Sequence, residues 1–526
     1  MPLEGGRVPA ARRIAIVGGG ISGMACAWKL RNSDFIVDIF ESDDRLGGHA
    51  DSKPFEGNGR RVCVDTGFIA MNEESYPQFS GFLRDLGVET IATDMSFGVA
   101  TIDGELEWAS HSFMSFIGHL SRLLLPSTWR LLFDIVRFSL FATDVLQEED
   151  PSPRQSAWGR SRTSRETRPD ATISPDEISS NLEPIGEYLK AQKYSEQFIS
   201  FFLIPMVAAP WCINPDEFAR TFPAKSLIKF MLGHNLLETP WKTLRWRSFR
   251  DGSQTYVNAF KNSLPQQHQL HLNTAALSVR RTEDGISVGF ADRSSRTYDH
   301  VVLAVHANQA LRLMGNDAAD LERTILGSFK TTRNICYLHS DTSLLPKRPS
   351  ARVAWNCFLD AAQPRTKCDV REKSWQWLLG NGISITFDMN RLQAIPMPGQ
   401  PGSPGRVLVS MNPPRIPRSY QTSQLYYHPL ITSESILMAP HLNRINGVRG
   451  ISYAGAWMGF GFHEDGFVAG AHAAEMLVAG IAGGEGSPWL DIVSRPGIRR
   501  VRKMGLLEWL ARMVILAVQR LIVAIG

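Results

Sequence analysis

Three glycines, an acid and a histidine beside two further acids carry most of the chemistry legible in this chain of 526 residues. Gly18, Gly20 and Gly23 stand in G-x-G-x-x-G spacing between the apolar run Arg13–Val17 and a helical stretch. The first glycine permits a tight turn, the second lets backbone approach a pyrophosphate, and the third lets helix pack on strand. The helix that follows, with Ser22 in its first turn, aims free N–H groups at that anion. Glu41 closes a second strand, Phe35–Phe40, at the roughly twenty-residue offset where a carboxylate meets a ribose hydroxyl. Together they predict a dinucleotide site. Far along the chain, His463 precedes Glu464 and Asp465, and an imidazole there can move protons near neutral pH. His463 and Glu464 are therefore the candidate catalytic pair. An alternative is that His463 only hydrogen-bonds a carbonyl and that the acids cap a helix beginning near Gly466.

Which dinucleotide is bound follows from a second glycine turn. Glu41-Ser-Asp-Asp-Arg45-Leu-Gly47-Gly48 resembles the E-x-x-x-R-x-G-G segment of the flavin amine oxidase superfamily, which includes phytoene-desaturase-like enzymes. That resemblance implies non-covalent FAD, with Arg45, Gly47, Gly48 and His49 along its diphosphate and ring. A guanidinium offers phosphate a fork of donors, and paired glycines let backbone run beside a flat ring. Near the far end, Gly450–Ile481 reads as a strand, a glycine-rich crossing and a small-residue helix. In the superfamily this strand ends in a Y-A-G-D-like element whose Asp holds the ribityl chain. Here Gly455 is followed by Ala456, which removes that contact. The resemblance also sets Ala276 beside the adenine. The segments Gly47–Ser52, Val64–Phe79 and Gly459–Gly466 are similar to a narrower group, the FAD/NAD-binding oxidoreductases found beside or fused to cyclopropane fatty acid synthases. A partner lipid-modifying enzyme is thereby implied.

The fold expected is α/β, a Rossmann-like, glutathione-reductase-type FAD domain with an interleaved substrate domain of mixed sheet and helices. The FAD domain is assigned to 1–70, 251–329 and 434–485, and the substrate domain to 71–250 and 330–433. Residues 148–180, rich in Ser, Pro and charge, read as a surface insertion. Tyr76, Trp211, Tyr256, Trp355, Trp377 and Trp457 are candidate pocket aromatics, with core packing the plainer role for most of them.

Composition excludes other classes. The 56 basic and 52 acidic residues give a net charge of +4, too mild for a nucleic-acid partner. Six cysteines show no metal-ligand spacing and read as reduced, in an intracellular protein; no metal is expected. The first residues lack a secretory apolar core, so a cytoplasmic location is expected. At 495–526, a basic run precedes an apolar helix in which Glu508, Arg512 and Gln519 share a side. Such a helix suits an interfacial anchor better than a span, with docking on the protein core as the alternative.

The leading expectation is an FAD-dependent oxidoreductase removing hydride from an apolar substrate, a fatty acyl, polyketide-like or terpenoid chain. An amine oxidase yielding imine and peroxide, a redox-neutral double-bond isomerase, and a non-catalytic accessory protein are the alternatives.

Overall fold

The computed structural model describes residues 12–101, 107–149, 182–238, 244–359, 383–480 and 505–525. Its organising element is a five-stranded parallel sheet whose strands come from both ends and the middle of the chain. The order is His268–His271, Ile36–Phe40, Arg13–Val17, His300–Leu303, Ile451–Tyr453. The central strands are buried on both faces, which is why Ile14–Val17 and Val301–Leu303 read as unbroken apolar runs rather than alternating ones. Strand Arg13–Val17 leads into helix Ile21–Leu30, and strand Ile451–Tyr453 leads through a glycine-rich crossing into helix His463–Ala479.

These two helices lie side by side, and glycine is the reason. A Cβ built on Gly466 would come within 2.6 Å of Ile21, and one on Gly470 within 1.9 Å of the Ser22 carbonyl oxygen. The close approach brings both helix N-termini to the carboxyl ends of the strands, where ligands of open α/β sheets bind. A three-stranded meander, Ala276–Thr282, Gly285–Phe290 and Ser295–Tyr298, packs over the inner strands Arg13–Val17 and His300–Leu303. Buried Asp38 fixes it there, accepting from the Tyr298 hydroxyl at 2.8 Å and pairing with Arg13 at 3.2 Å.

The second sheet has seven strands in the order Thr422–Leu430, Lys330–His339, Leu408–Met411, Ser384–Asp388, Trp355–Leu359, Phe97–Thr101, Glu107–Ala109. All its pairings are antiparallel except Trp355–Leu359 with Phe97–Thr101. Helices between Pro126 and Gly233 close over it around an aromatic core of Phe198, Trp211, Phe218, Phe222 and Phe230. The expected α/β class with a mixed second sheet therefore stands. The apolar stretch Phe113–Phe141 is divided into helix Phe113–Ile117, a 3-10 turn and helix Pro126–Phe141, because Gly118 at φ +85° ends the first piece and Pro126 starts the last. All but the first two residues of the 148–180 insertion, Trp377 and the basic run at 499–503 lie outside the described residues.

Candidate active site

One cavity of about 890 Å3 runs from the carboxyl ends of the parallel strands into the space between the sheets. Gly18, Gly20, Ser22, Glu41, Arg45, Gly47, Gly48, His49, Ala276, Gly455, Ala456 and His463 all line it. Gly23, Gly466 and Glu464 do not. Gly23 packs beneath the turn, where an added Cβ would meet the Gly18 carbonyl oxygen at 2.0 Å, and Gly466 packs against Ile21 and Ser22.

The glycine turns form a cradle. Gly18 and Gly47 hold φ values of +109° and +117°, which side chains resist, and Gly20 bridges Gly47 across the cleft. Nothing lies within 4 Å of a Cβ position on Gly20, so its backbone faces open space. Helix Ile21–Leu30 has no side-chain cap, which leaves its first N–H groups free for an anion. Glu41 accepts from Gly19 N–H at 2.7 Å while its edge borders the cavity. These residues fit the diphosphate and ribose of FAD.

Arg45 departs from the phosphate fork expected of it. Its guanidinium donates to the carbonyls of Leu46, Gly48 and Ala50 at 3.1 to 3.2 Å and pairs with buried Asp51 at 3.0 Å. It holds the second glycine turn in shape rather than offering a free fork. Ala456, which stands where an Asp was expected, sits opposite Gly466, and Trp457 pins this crossing by donating to the Val305 carbonyl at 2.9 Å.

The candidate catalytic pair separates. Glu464 is buried and turned away from the cavity, accepting from the backbone N–H groups of Gln78 and Phe79 at 3.1 and 2.9 Å. It caps helix Pro77–Asp85, where a negative charge also meets the positive end of the helix. Asp465 accepts from Phe460 and Phe462 N–H groups and caps its own helix, which starts at His463, three residues ahead of the expected Gly466. His463 alone faces the cavity. Its Nε2 lies 3.0 Å from the Tyr256 hydroxyl and its ring stacks on Phe68 at 3.6 Å. Burial pushes its pKa down to about 3, so the ring is neutral across the physiological range. A neutral imidazole here positions and hydrogen-bonds; it is a poor proton acceptor.

Sequence reasoning missed a histidine cluster on the opposite wall. His306 and His428 lie 6.3 and 5.3 Å, ring to ring, from His49, and all three line the cavity. Burial lowers His306 and His428 to about 4 and holds His49 well below the usual imidazole range, with His306 adding to the effect on His428 and both rings adding to that on His49. The tautomer of His428 is set from behind. Asn412 accepts from Ile335 N–H through its carbonyl oxygen, so its amide donates to the Asn334 oxygen at 2.7 Å. The Asn334 amide nitrogen must then donate to His428 Nδ1, at 2.8 Å, leaving Nε2–H as that ring's donor. No local pattern announces this. The relay spans two strands of the second sheet.

A glycine cradle at a parallel sheet, opening into an apolar cavity under a mixed second sheet, defines a flavin-dependent oxidoreductase. Residues 21–338, more than half of the chain, match the flavin containing amine oxidoreductase family, and the chain belongs to it; FAD is its cofactor. A protoporphyrinogen oxidase of Arabidopsis thaliana is 38% identical over 77 residues, 15% of this chain and 14% of that protein. The chain thus spans a small part of that curated relative's length. Among solved structures, a fatty acid isomerase from P. acnes that produces CLA superposes with a TM-score of 0.59 at 16% identity, over 89% of this chain and 98% of that one. Putrescine oxidase, bound to putrescine, gives 0.58 at 13%, over 89% and 99%. Cyclohexylamine oxidase from Brevibacterium oxydans gives 0.55 at 12%, over 89% and 99%. At such identities the likeness is one of fold.

Proposed function

We propose that this oxidoreductase acts on an apolar, uncharged carbon chain, a fatty acyl or terpenoid-like substrate. The observation that carries this reading is the charge of the cavity. Among the described residues its only carboxylates are Glu41 and Asp43, both on the strand end and turn that border the nucleotide, whereas Met95, Met206, Trp211, Phe230, Phe387 and Met411 line the far end. Polar groups that reach that end are neutral histidines, tyrosines and an amide. Such a wall accepts hydrocarbon and gives a cation no counter-charge.

Bound FAD supplies hydride acceptance. The chain binds it through the glycine cradle and the two helix N-termini, excludes water with its aromatic walls, and presents the His428 Nε2–H and the His463 ring as fixed neutral hydrogen-bonding groups. Hydride passing from such a chain to bound FAD would leave a cationic carbon; return of the hydride to another carbon of an unsaturated chain balances without loss of a proton and gives net isomerisation, the reaction named for the P. acnes neighbour, whereas a new double bond or carbonyl would also require a proton to leave for solvent. The test is anaerobic bleaching of the bound flavin against panels of unsaturated fatty acids, terpenoids and amines. Bleaching by an acyl or terpenoid chain, or deuterium shuffling within it without oxygen uptake, supports the reading. Bleaching by amines alone, with peroxide formed in air, overturns it in favour of an amine oxidase.

A further inference from the structure

Helix Leu506–Ile525 is amphipathic the wrong way round for a helix in water. Its half-buried positions are Glu508, Arg512, Ile515, Gln519 and Ile522, so three of its four described polar side chains share the protein-facing stripe, Arg520 being exposed. Arg512 pairs with Asp144 at 2.8 Å, donates to the Leu140 carbonyl and lies over the Phe141 ring, fixing the helix to the end of helix Pro126–Phe141. Trp509, Met513 and Val514 point outward, 47%, 49% and 62% exposed.

The element it docks on shows the same inversion. Phe113 and Leu124, on the segment that leads into helix Pro126–Phe141, and Trp129 in its first turn are 57%, 85% and 58% exposed. A monomer in water rarely leaves so much large apolar surface bare in one region.

We propose that these two apolar faces, Phe113–Trp129 and Trp509–Val518, which helix Pro126–Phe141 links, dock together on an anionic lipid bilayer. Charge argues for lipid over a second copy. Ser110–Phe133 and Trp509–Gly526 contain no Asp or Glu; of their four arginines, Arg130 and Arg512 are paired inward with Asp134 and Asp144, while Arg122 and the exposed Arg520 make the charge around the apolar face basic. Basic residues around an apolar face match anionic headgroups and would repel a second identical face. No single described helix is long and apolar enough to cross a membrane, so the contact is one lying in the interface. The face also adjoins the cavity. Helix Pro126–Phe141 packs on the turn Leu236–Glu238, whose Leu236 lines the cavity wall. The inference rests on this surface and not on the substrate reading.

Flotation of the full-length, FAD-loaded protein with phosphatidylcholine vesicles, alone or mixed with phosphatidylglycerol, tests it without turnover. The protein floats with the mixed vesicles, and Leu124→Glu and Val514→Glu, each with full flavin content, lower the bound-to-free ratio by about tenfold or more, as burying one large aliphatic side chain implies. The two sites lie on separate elements, so a folding failure in one variant leaves the other informative. Flotation unchanged by both substitutions overturns the proposal. So does an absence of flotation, including the case in which the protein forms dimers that either substitution dissociates, which assigns the face to a second copy.

Discussion

Replacing Gly470 by Ala adds one methyl group at the tightest contact between the two helices that meet at the cofactor. The new Cβ would stand 1.9 Å from the Ser22 carbonyl oxygen, and 2.8 Å from its carbon, against an ordinary contact of about 3.4 Å or more. Backbone cannot rotate aside as a side chain would, so the helices must part by about 1.5 Å. Ala is favoured over Gly within a helix by up to about 1 kcal/mol, while forced overpacking costs about 1 to 3 kcal/mol. Overpacking wins, and the net loss is about 1 to 2 kcal/mol. Separation also moves the free N–H groups of helix Ile21–Leu30 relative to the diphosphate. Purified Gly470→Ala should therefore show a lower melting temperature and a reduced ratio of flavin to protein absorbance, both partly restored by added FAD. Gly480→Ala is the control for a general glycine effect. It lacks any neighbour within 4 Å, so only its φ of +66° opposes the substitution, and flavin content should not change. Full flavin content and an unchanged melting temperature in Gly470→Ala would refute the convergence of the two helices as the basis of binding.

Two further outcomes follow from the candidate pair and the histidine cluster. Glu464→Ala removes both acceptors from the Gln78 and Phe79 N–H groups, so it should cost about 2 kcal/mol of stability; Glu464→Gln should recover part of it, and flavin reduction by a working substrate should proceed at near-normal rate in both. Slow reduction with an unchanged melting temperature would restore Glu464 to catalysis. His306, His428 and His463 have folded pKa values of about 4, 4 and 3 against 6.5 unfolded, and His49 is lowered too. The unfolded chain therefore binds more protons, so their stabilisation is complete above about pH 6.5 and is lost as pH falls towards 4, by up to about 3 kcal/mol per ring. Asp65, raised by burial to about 7, opposes this, since its contribution falls as pH rises from about 4 to 7. Asp388, also raised by burial, acts in the same sense as Asp65, while His268, His300, His339 and His472, each lowered to about 4, add to the four cavity rings, so the histidines outweigh the two carboxyls. Melting temperature should drop between pH 6.5 and 4, and His428→Gln should flatten that slope; a flat profile in the parent protein would count against burial as the cause.

The backbone parts of the site were the most legible. Gly18, Gly20, Gly47 and Gly48 declare themselves because the requirement for φ above zero or close approach is local, and the strands flanking them are apolar runs. Side-chain assignments failed where partners are distant. Glu464 beside a histidine reads as chemistry, yet its partners, Gln78 and Phe79, are nearly four hundred residues away in sequence. Arg45 reads as a phosphate ligand because its local carbonyl partners are backbone, which no residue type reveals. The tail shows both halves of the rule. Its period put Glu508, Arg512 and Gln519 on one side, but that this side faces protein depends on Asp144, 368 residues from Arg512.

The cavity histidines also act as internal gauges of the space a substrate enters. Desolvation is the first cause of the depression in each, ahead of neighbouring charge, so the walls penalise any cation placed among them. An ammonium ion entering the same space would meet the same penalty, and among the described residues no carboxylate at that end offsets it. It would have to shed its proton first, with the free-energy cost of doing so well below its solution pKa of about 10.4. A hydrocarbon chain meets no such cost and gains from each apolar contact it buries. On the proposed reading, the same desolvation that keeps four histidines neutral would discriminate between substrate classes before any chemistry begins. A carboxylate introduced at Met411, facing that end of the cavity, should shift flavin bleaching towards amines and away from acyl chains if this ranking holds.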